Sequence, residues 1–311
     1  MNENLLVSIE NKGQTKKWRN FSIILVCFLL IFISKSFKND EKIEEKTSGD
    51  SIAEIEITGV IDDNDFRNKK ISDLISNKTV KAVILNIDSP GGMVTASEIL
   101  YDLINKLNET KPVVVLMGSM ATSGAYMVSM GSDYLIAKNT TITGSIGVLM
   151  QSYEFVDLAK KFGVELKTFK SSELKGIPSI FEKNTESSDK ASQSMIDDIY
   201  NYFVELVKNK RKMTDENFKL AINGQAFTGR QALKIGLIDE IGGKESALKY
   251  LKSKNIDTSL PIIKVKLYKE KNTGILSKLV EKFFFDIDSK SNFKNIMLLG
   301  GINWEFGIVR N

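Results

Sequence analysis

Three short loops rich in small residues each follow an apolar run that is typical of a buried strand. They occupy residues 88–92 (DSPGG), 118–125 (GSMATSGA) and 141–148 (TITGSIGV). Functional groups of parallel α/β sheets collect where strands end and loops lead into helices. A serine on a strand-to-helix turn with small neighbours is well placed to expose a nucleophilic hydroxyl. Ser123 is therefore the candidate nucleophile.

Each loop also has a purely structural interpretation. Residues 88–92 either turn N–H groups outward to bind an anion or form a tight turn without a ligand. Ser119, Thr122 and Ser129 lie near Ser123, and each could be a helix cap or a packing residue. Without further evidence, residues 141–148 are better explained as a hydrogen-bonded turn.

Composition restricts the base that could activate a serine. The chain has no His and one Cys among 311 residues. This excludes Ser-His-Asp triads, His-ligated metals, cysteine-based zinc sites and intrachain disulfides. A neutral lysine is the best remaining base, because desolvation shifts the pKa of a lysine toward the neutral form. Lys175 stands out because it lies in a small-residue loop with a proline, residues 171–179.

The elements that must position these residues follow an α/β pattern. Short β-branched apolar runs predict buried parallel strands over 80–87 and 112–117. Ile55 and Ile57 alternate with glutamates, which predicts an edge-type strand. Strands that alternate with helices imply right-handed crossovers. The other predicted elements are strands over 134–137 and 164–169 and helices over 93–107 and about 189–212.

The N-terminal segment predicts a membrane anchor. Residues 21–33 are almost entirely apolar, and extension to 18–37 gives a length that can span a bilayer. No small-residue cleavage site follows, so we expect an uncleaved signal anchor rather than a cleaved signal. The net charge of +4, from 43 basic and 39 acidic residues, is too balanced for a nucleic-acid partner.

These observations divide the chain into five parts. The predicted parts are a short cytoplasmic tail (1–19), a transmembrane anchor (20–37), a charged linker (38–50), a catalytic domain (51–268) and a C-terminal tail (269–311). For the tail, a helix packed on its own domain is favoured over a docking or membrane-surface segment, since exposed apolar patches are uncommon on monomers.

Taken together, the motifs resemble those of signal peptide peptidase A, the serine–lysine peptidases of the ClpP/crotonase fold. The resemblance covers residues 52–268 or so. It is carried by DSPGG at 88–92, ATSGAY at 121–126, TGSIGV at 143–148, ELKGIPS at 173–179 and the stretch 224–243.

The resemblance implies a role for each matched side chain. Ser123 attacks the scissile carbonyl, and Lys175 takes its proton and later protonates the leaving amine. Ser145 hydrogen-bonds the lysine amine and holds it in place.

The resemblance also assigns the oxyanion hole. Backbone N–H groups of Gly91 or Gly92, together with that of Gly124, would stabilise the oxyanion. One departure is Ala125, which stands where the family commonly has a glycine and could alter the local backbone or the substrate pocket.

The wider expectations also follow from the resemblance. The fold would consist of repeated ββα units with a parallel sheet, behind one N-terminal transmembrane helix. The protein would be a homo-oligomeric ring, an octamer by resemblance, whose Ser and Lys come from neighbouring subunits. It would sit in the inner (cytoplasmic) membrane of a bacterium as a single-pass protein, with the catalytic domain on the exported side. No metal or other cofactor is expected.

The expected substrates are cleaved signal peptides, which reach the enzyme at the bilayer. Met93, Met120, Tyr126 and Met127 are predicted to form apolar pocket walls. Two alternatives stay open: a crotonase-like acyl-CoA enzyme on the same fold, and a membrane scaffold without activity.

Overall fold

The computed structural model describes residues 49–268. The predicted anchor (20–37) and C-terminal tail (269–311) lie outside this range. Between residues 49 and 268, no helix has the length and apolar character needed to span a membrane.

The described strands form one sheet, and helices connect most of them. The strands are β1 (Ser51–Thr58), β2 (Val80–Ser89), β3 (Val113–Thr122), β4 (Tyr134–Ala137), β5 (Ile142–Gly144), β6 (Ala226–Thr228), β7 (Glu240–Ile241) and β8 (Ile262–Lys264). The helices are α1 (Asp65–Ser76), α2 (Val94–Thr110), α3 (Gly124–Ser129), α4 (Val156–Lys161), α5 (Glu186–Lys210), α6 (Asp215–Ala221), α7 (Gly229–Ile235) and α8 (Lys244–Ser253).

The sheet is parallel except at one edge. Its order is β6-β5-β3-β2-β1-β8, and β4 joins β3 to β7. Only the β5–β6 pair is antiparallel within the described range. The predicted α/β fold with a parallel sheet is therefore confirmed. β3 changes partner along its length, because its first part pairs with β4 and its last three residues pair with β5.

The predicted edge position of the first strand is wrong. β1 lies between β2 and β8, which pairs with Ile52, Ala53 and Glu54. The alternation with glutamate misled because Glu54 is accommodated inside the sheet: its carboxylate accepts a hydrogen bond from Asn86 and pairs with Lys244.

Two apolar clusters, one on each face of the sheet, explain why β2 and β3 are apolar at successive positions. On one face, Leu85 and Val115 belong to the large cluster that also takes in the buried side chains of α1, α2 and α3. On the other face, Ile84 and Val114 pack in a cluster with buried residues of α8. Strands covered on both faces read as continuous hydrophobic runs.

The strand predicted over 164–169 is not formed. These residues have no strand partner within the described chain, and they lie in a long, largely exposed segment that runs from Leu149 to α5. The alternation of Val164 and Leu166 with charged residues resembled a strand, but a strand requires a neighbour for its backbone hydrogen bonds.

Candidate active site

Ser123 lies at the junction between β3 and α3 in a conformation that L residues rarely adopt. Its φ of 53° and ψ of −123° place it outside both the helical and strand regions. The N–H of Ser123 donates to the carbonyl of Gly144 at 2.8 Å, which ties the turn to β5. α3 anchors the other side, because all six of its residues are buried. Strained backbone of this kind persists only where its surroundings fix it, and it is concentrated at functional sites.

The glycines of the DSPGG loop pack directly against this turn. A Cβ placed at Gly91, which has a φ of 97°, would lie 2.8 Å from the nitrogen of Gly124 and 3.1 Å from Cβ of Ser123. A Cβ at Gly92 would overlap the backbone of Ile61. Both positions therefore require glycine because no side chain fits there.

The backbone N–H groups next to Ser123 differ in their availability. The N–H of Gly91 donates to Oγ of the buried Ser89 at 3.1 Å. The N–H groups of Gly92 and Gly124 donate to no acceptor in the described part of the chain. They are neighbours, since a Cβ placed at Gly124 would lie 3.5 Å from the nitrogen of Gly92. Of the two predicted candidates in the loop, Gly92 is the one with a free N–H.

Ser145 comes close to the Ser123 turn through β5. It follows Gly144, whose carbonyl binds the Ser123 N–H, and its own N–H donates to the carbonyl of Gln225 at 2.9 Å. Ser145 also has a positive φ, 51°. Among the described residues, neither the Ser123 hydroxyl nor the Ser145 hydroxyl has a hydrogen-bond partner, so both are available.

Lys175, the predicted base, is exposed. Its backbone N–H donates to the carbonyl of Ser172 at 3.2 Å, in a turn of the long exposed segment. Among residues 49–268, its ammonium group makes no hydrogen bond to the hydroxyl of Ser123 or Ser145. In the single chain, backbone hydrogen bonds and close packing join Ser123, Ser145 and the glycine N–H groups, and Lys175 is not bonded to them.

The loop that carries Lys175 is closed at its base. Lys170 and Glu182 form an ion pair across the base, and the N–H of Phe155 donates to the carbonyl of Ile180 at 2.7 Å. The hydrogen bond from Lys170 is the main reason why the pKa of Glu182 lies below its usual value. The Lys170–Glu182 pair holds the two ends of residues 170–182 together, and the Phe155–Ile180 hydrogen bond ties the second end to the start of α4.

Two of the four predicted pocket walls are wrong. Tyr126 and Met127 are buried in the main core, and the Tyr126 hydroxyl donates to the carbonyl of Leu237 at 2.8 Å. Burial is also the main cause that raises the pKa of Tyr126. Met93, 57% exposed, and the half-buried Met120 remain accessible. Ala125 is fully buried in the same core, so its methyl group does not line a substrate pocket.

Several supports of the turn were not assigned from the sequence. The Thr122 hydroxyl donates to the carbonyl of Pro90 at 3.1 Å, and the Thr143 hydroxyl donates to that of Ala121 at 2.8 Å. Oδ1 of Asp88 accepts the N–H of Met120 at 3.0 Å. The sequence signal that could have indicated these supports is the polar residues within the DSPGG and TGS motifs, because those residues join the three loops to one another.

Comparisons with known proteins show the family of this chain. The model of peptidase family S49 matches residues 105–256, and the Clp protease model matches residues 44–145. A chain of Enterococcus faecium that is named for signal peptide peptidase SppA is 31% identical over 261 residues, which cover 79% of this chain and 75% of the relative.

For two further relatives, the matched region covers a smaller share of the relative's own length. The protein MJ0651 of Methanocaldococcus jannaschii, which is named for a protease, is 41% identical over 182 residues. The matched part is 58% of this chain and 58% of that relative. Protease 4 of Haemophilus influenzae is 34% identical over 244 residues, which are 77% of this chain and 37% of the relative.

These matches define the class of the molecule as a serine peptidase, and its described part is a parallel α/β domain. More particularly, the chain belongs to peptidase family S49 and is of the SppA type. The resemblance inferred from the sequence motifs is thereby confirmed.

Proposed function

We propose that the chain is a membrane-anchored serine endopeptidase that hydrolyses remnant signal peptides with a Ser123/Lys175 dyad. The observation that carries the proposal is the strained Ser123 turn beside the unbonded N–H groups of Gly92 and Gly124. Preorganised N–H donors aimed at a developing negative charge are the usual means of stabilising the transition state of acyl transfer.

In the proposed mechanism, Oγ of Ser123 attacks the carbonyl carbon of the scissile peptide bond. Neutral Nζ of Lys175 takes the hydroxyl proton and later gives it to the leaving amine. Gly92 and Gly124 donate to the oxyanion, and Ser145 orients the lysine amine. A water molecule then attacks the acyl-enzyme, with Lys175 again as the base, and releases the acid and free Ser123.

We infer that Lys175 reaches Ser123 from a neighbouring subunit. The support is the exposure of Lys175 and of the segment around it, which carries large apolar side chains that its own domain leaves uncovered. Exposed apolar surface of this extent marks an interaction site. Its most exposed members are Leu149 (70%), Tyr153 (67%), Phe162 (78%) and Phe169 (87%).

The wider assembly is proposed from family membership. It is a homo-oligomeric ring, an octamer, tethered by residues 20–37 to the inner (cytoplasmic) membrane with its catalytic domain on the exported side. The name of the Enterococcus relative supports signal peptides as substrates. The Clp protease match and the partner change along β3 support the finer fold, repeated ββα units of the ClpP/crotonase type.

The proposal is tested by two substitutions in the full-length chain. Ser123→Ala and Lys175→Ala should each abolish cleavage of a quenched fluorogenic peptide with an apolar, signal-peptide-like core, while both proteins assemble like the wild type. Full activity in either variant refutes the dyad. An inactive wild-type chain favours the scaffold alternative, and turnover of a short-chain acyl-CoA that survives Ser123→Ala favours the crotonase-like one.

A further inference from the structure

Arg67 in the first turn of α1 is one of the largest side chains that the domain buries completely. Its Nη2 donates to the carbonyl oxygen of Asp62 at 2.6 Å, and its Nε donates to Oδ1 of Asn68 at 3.4 Å. Its Nη1 lies 3.6 Å from Oδ1 of Asp62 and has no hydrogen-bond partner among the described residues. Burial of an incompletely paired guanidinium is costly. An apolar side chain would fill the same space with less loss of free energy, so the contact that Arg67 makes requires an explanation.

The loop that Arg67 holds is bonded to the DSPGG loop, residues 88–92, which we call the oxyanion loop. The loop held by Arg67, residues 59–63, connects β1 to α1 and lies beside residues 88–93. Three backbone hydrogen bonds join the two loops: Gly59 N–H to the oxygen of Asp88 (3.1 Å), Ile61 N–H to that of Gly91 (2.8 Å) and Met93 N–H to that of Ile61 (2.9 Å).

Gly92 lies at the centre of this contact. Ile61 binds the residues on both sides of Gly92, and its backbone leaves no room for a Cβ there. Ile61 itself is fixed from one side by the core and is followed by Asp62, whose carbonyl Arg67 holds. The position of the Gly92 N–H therefore depends on the position of Ile61.

α1 gives Arg67 a rigid base. The N–H of Arg67 donates to Oδ1 of the helix-capping Asn64 at 2.9 Å. Ile71 and Leu74 anchor the same helix in the main core. The guanidinium thus connects a fixed helix to the loop that supports the oxyanion loop.

From these contacts we propose that Arg67 is a positioning residue, which fixes Ile61 through the Asp62 carbonyl and thereby aims the Gly92 N–H at the oxyanion. The proposal rests on the proposed function, because it assigns a support to one of its two oxyanion donors.

The test compares Arg67→Met and Arg67→Lys with the wild type in the full-length chain. Arg67→Met should lower kcat about 10- to 100-fold, because displacement of one oxyanion donor weakens transition-state binding. KM should change less than about twofold. Acylation of Ser123 by a fluorophosphonate should slow by the same factor as kcat. Arg67→Lys, which retains a charged donor group, should recover part of the rate. If Arg67→Met does not fold, the rate of Arg67→Lys decides whether Arg67 positions the Gly92 N–H.

Two control variants separate positioning from general stability. Leu251→Ala, in the cluster on the opposite face of the sheet, creates a cavity that lowers the unfolding temperature. Its kcat should equal that of the wild type at temperatures well below unfolding. Asp62→Asn keeps the carbonyl contact and should stay within about twofold of the wild type.

The proposal is overturned if both Arg67 variants keep a kcat within twofold of the wild type, or if Leu251→Ala loses as much kcat at an equal folded fraction. Ser123→Ala distinguishes failure of the Arg67 role from failure of the proposed function. If Ser123→Ala is inactive and the Arg67 variants are fully active, only the role of Arg67 fails; if Ser123→Ala is active, the proposed function itself fails.

Discussion

At the residue scale, the site depends on backbone geometry more than on charged side chains. Ser123 and Ser145 both have a positive φ, and Gly91 and Gly92 fill places where no Cβ fits. The sequence motifs named these four residues as site candidates. They could not show that the Gly91 N–H is already bonded to Ser89, because that depends on where a buried hydroxyl points. Nor could they show that Arg67 is buried, since arginine is usually exposed.

The steric role of Gly92 predicts that Gly92→Ala inactivates the protein. The new methyl group would overlap the Ile61 backbone, so the oxyanion loop has to move away from Ser123. We expect a loss of at least 100-fold in kcat/KM, comparable to removal of an oxyanion donor. Peptide cleavage measured below the unfolding temperature checks this.

The matched control is Gly147→Ala in the TGSIGV motif. A Cβ at Gly147 would meet only the Cα of Gly224 at an ordinary 3.6 Å. Its unfolding temperature should match that of the wild type. A wild-type rate in Gly92→Ala would contradict the packing that we describe around the loop.

At the element scale, the ends of β2, β3 and β5 bring the three small-residue loops together. The sequence predicted β2, β4 and the first half of β3, because strands covered on both faces have a continuous apolar signature. It missed the second half of β3, which continues through the predicted small-residue loop to Thr122. The strand β1 was predicted, but its edge position was wrong because the partly buried Glu54 resembled an edge residue, and the strand over 164–169 has no partner strand within residues 49–268. Pairing is a long-range property that a local pattern does not contain.

The ion pair at the base of the Lys175 loop gives a prediction at this scale. Glu182→Gln should loosen residues 170–182 and lower kcat several-fold near neutral pH, as measured by peptide cleavage. The pKa of Glu182 is lowered from its usual value of 4.5, so its carboxylate stabilises the folded loop at pH values above 4.5. This contribution is lost as the pH falls through the lowered pKa. Glu182→Gln lacks the contribution at every pH.

A second ion pair in the same segment serves as the control. Lys183 and Asp157 are 3.3 Å apart, and both side chains are more exposed than those of Lys170 and Glu182. Pairs of this kind contribute little. Asp157→Asn should therefore keep the wild-type rate. An equal effect of the two substitutions would show that the base of the loop has no special role.

At the scale of the whole molecule, one domain holds the proposed nucleophile and its proposed oxyanion donors, whereas Lys175 lies in an exposed apolar segment. The family resemblance predicts that a second subunit completes the site, and composition alone makes no such prediction. Phe169 is exposed and Phe203 is buried, although both are phenylalanines, so only the fold distinguishes their environments. The proposed ring gives this segment a surface to cover it.

A dyad shared between subunits predicts complementation. Ser123→Ala and Lys175→Ala chains, each inactive alone, should regain part of the wild-type activity when they are dissociated, mixed and reassembled, because some contacts then pair an intact Ser123 with an intact Lys175. Peptide cleavage of the mixture measures the recovery. No recovery in mixed rings of verified composition would place both residues of each dyad in one chain.

If contact between subunits completes the site, disruption of the apolar segment should abolish activity. Phe169→Glu should reduce the oligomer to smaller species in light scattering and remove activity, without lowering the unfolding temperature of the domain. Leu233→Glu, at a 39% exposed position of α7, should leave the assembly intact. Equal dissociation in both variants would argue against the segment as the interface.

The most direct test of the central claim, that Ser123 is the nucleophile activated by Lys175, is to map by mass spectrometry the residue that a fluorophosphonate modifies. In the full-length wild-type protein, the adduct should lie on Ser123, and in Lys175→Ala its formation should slow by at least about 100-fold. An adduct on another serine, or labelling of Ser123 at an unchanged rate in Lys175→Ala, would contradict the account.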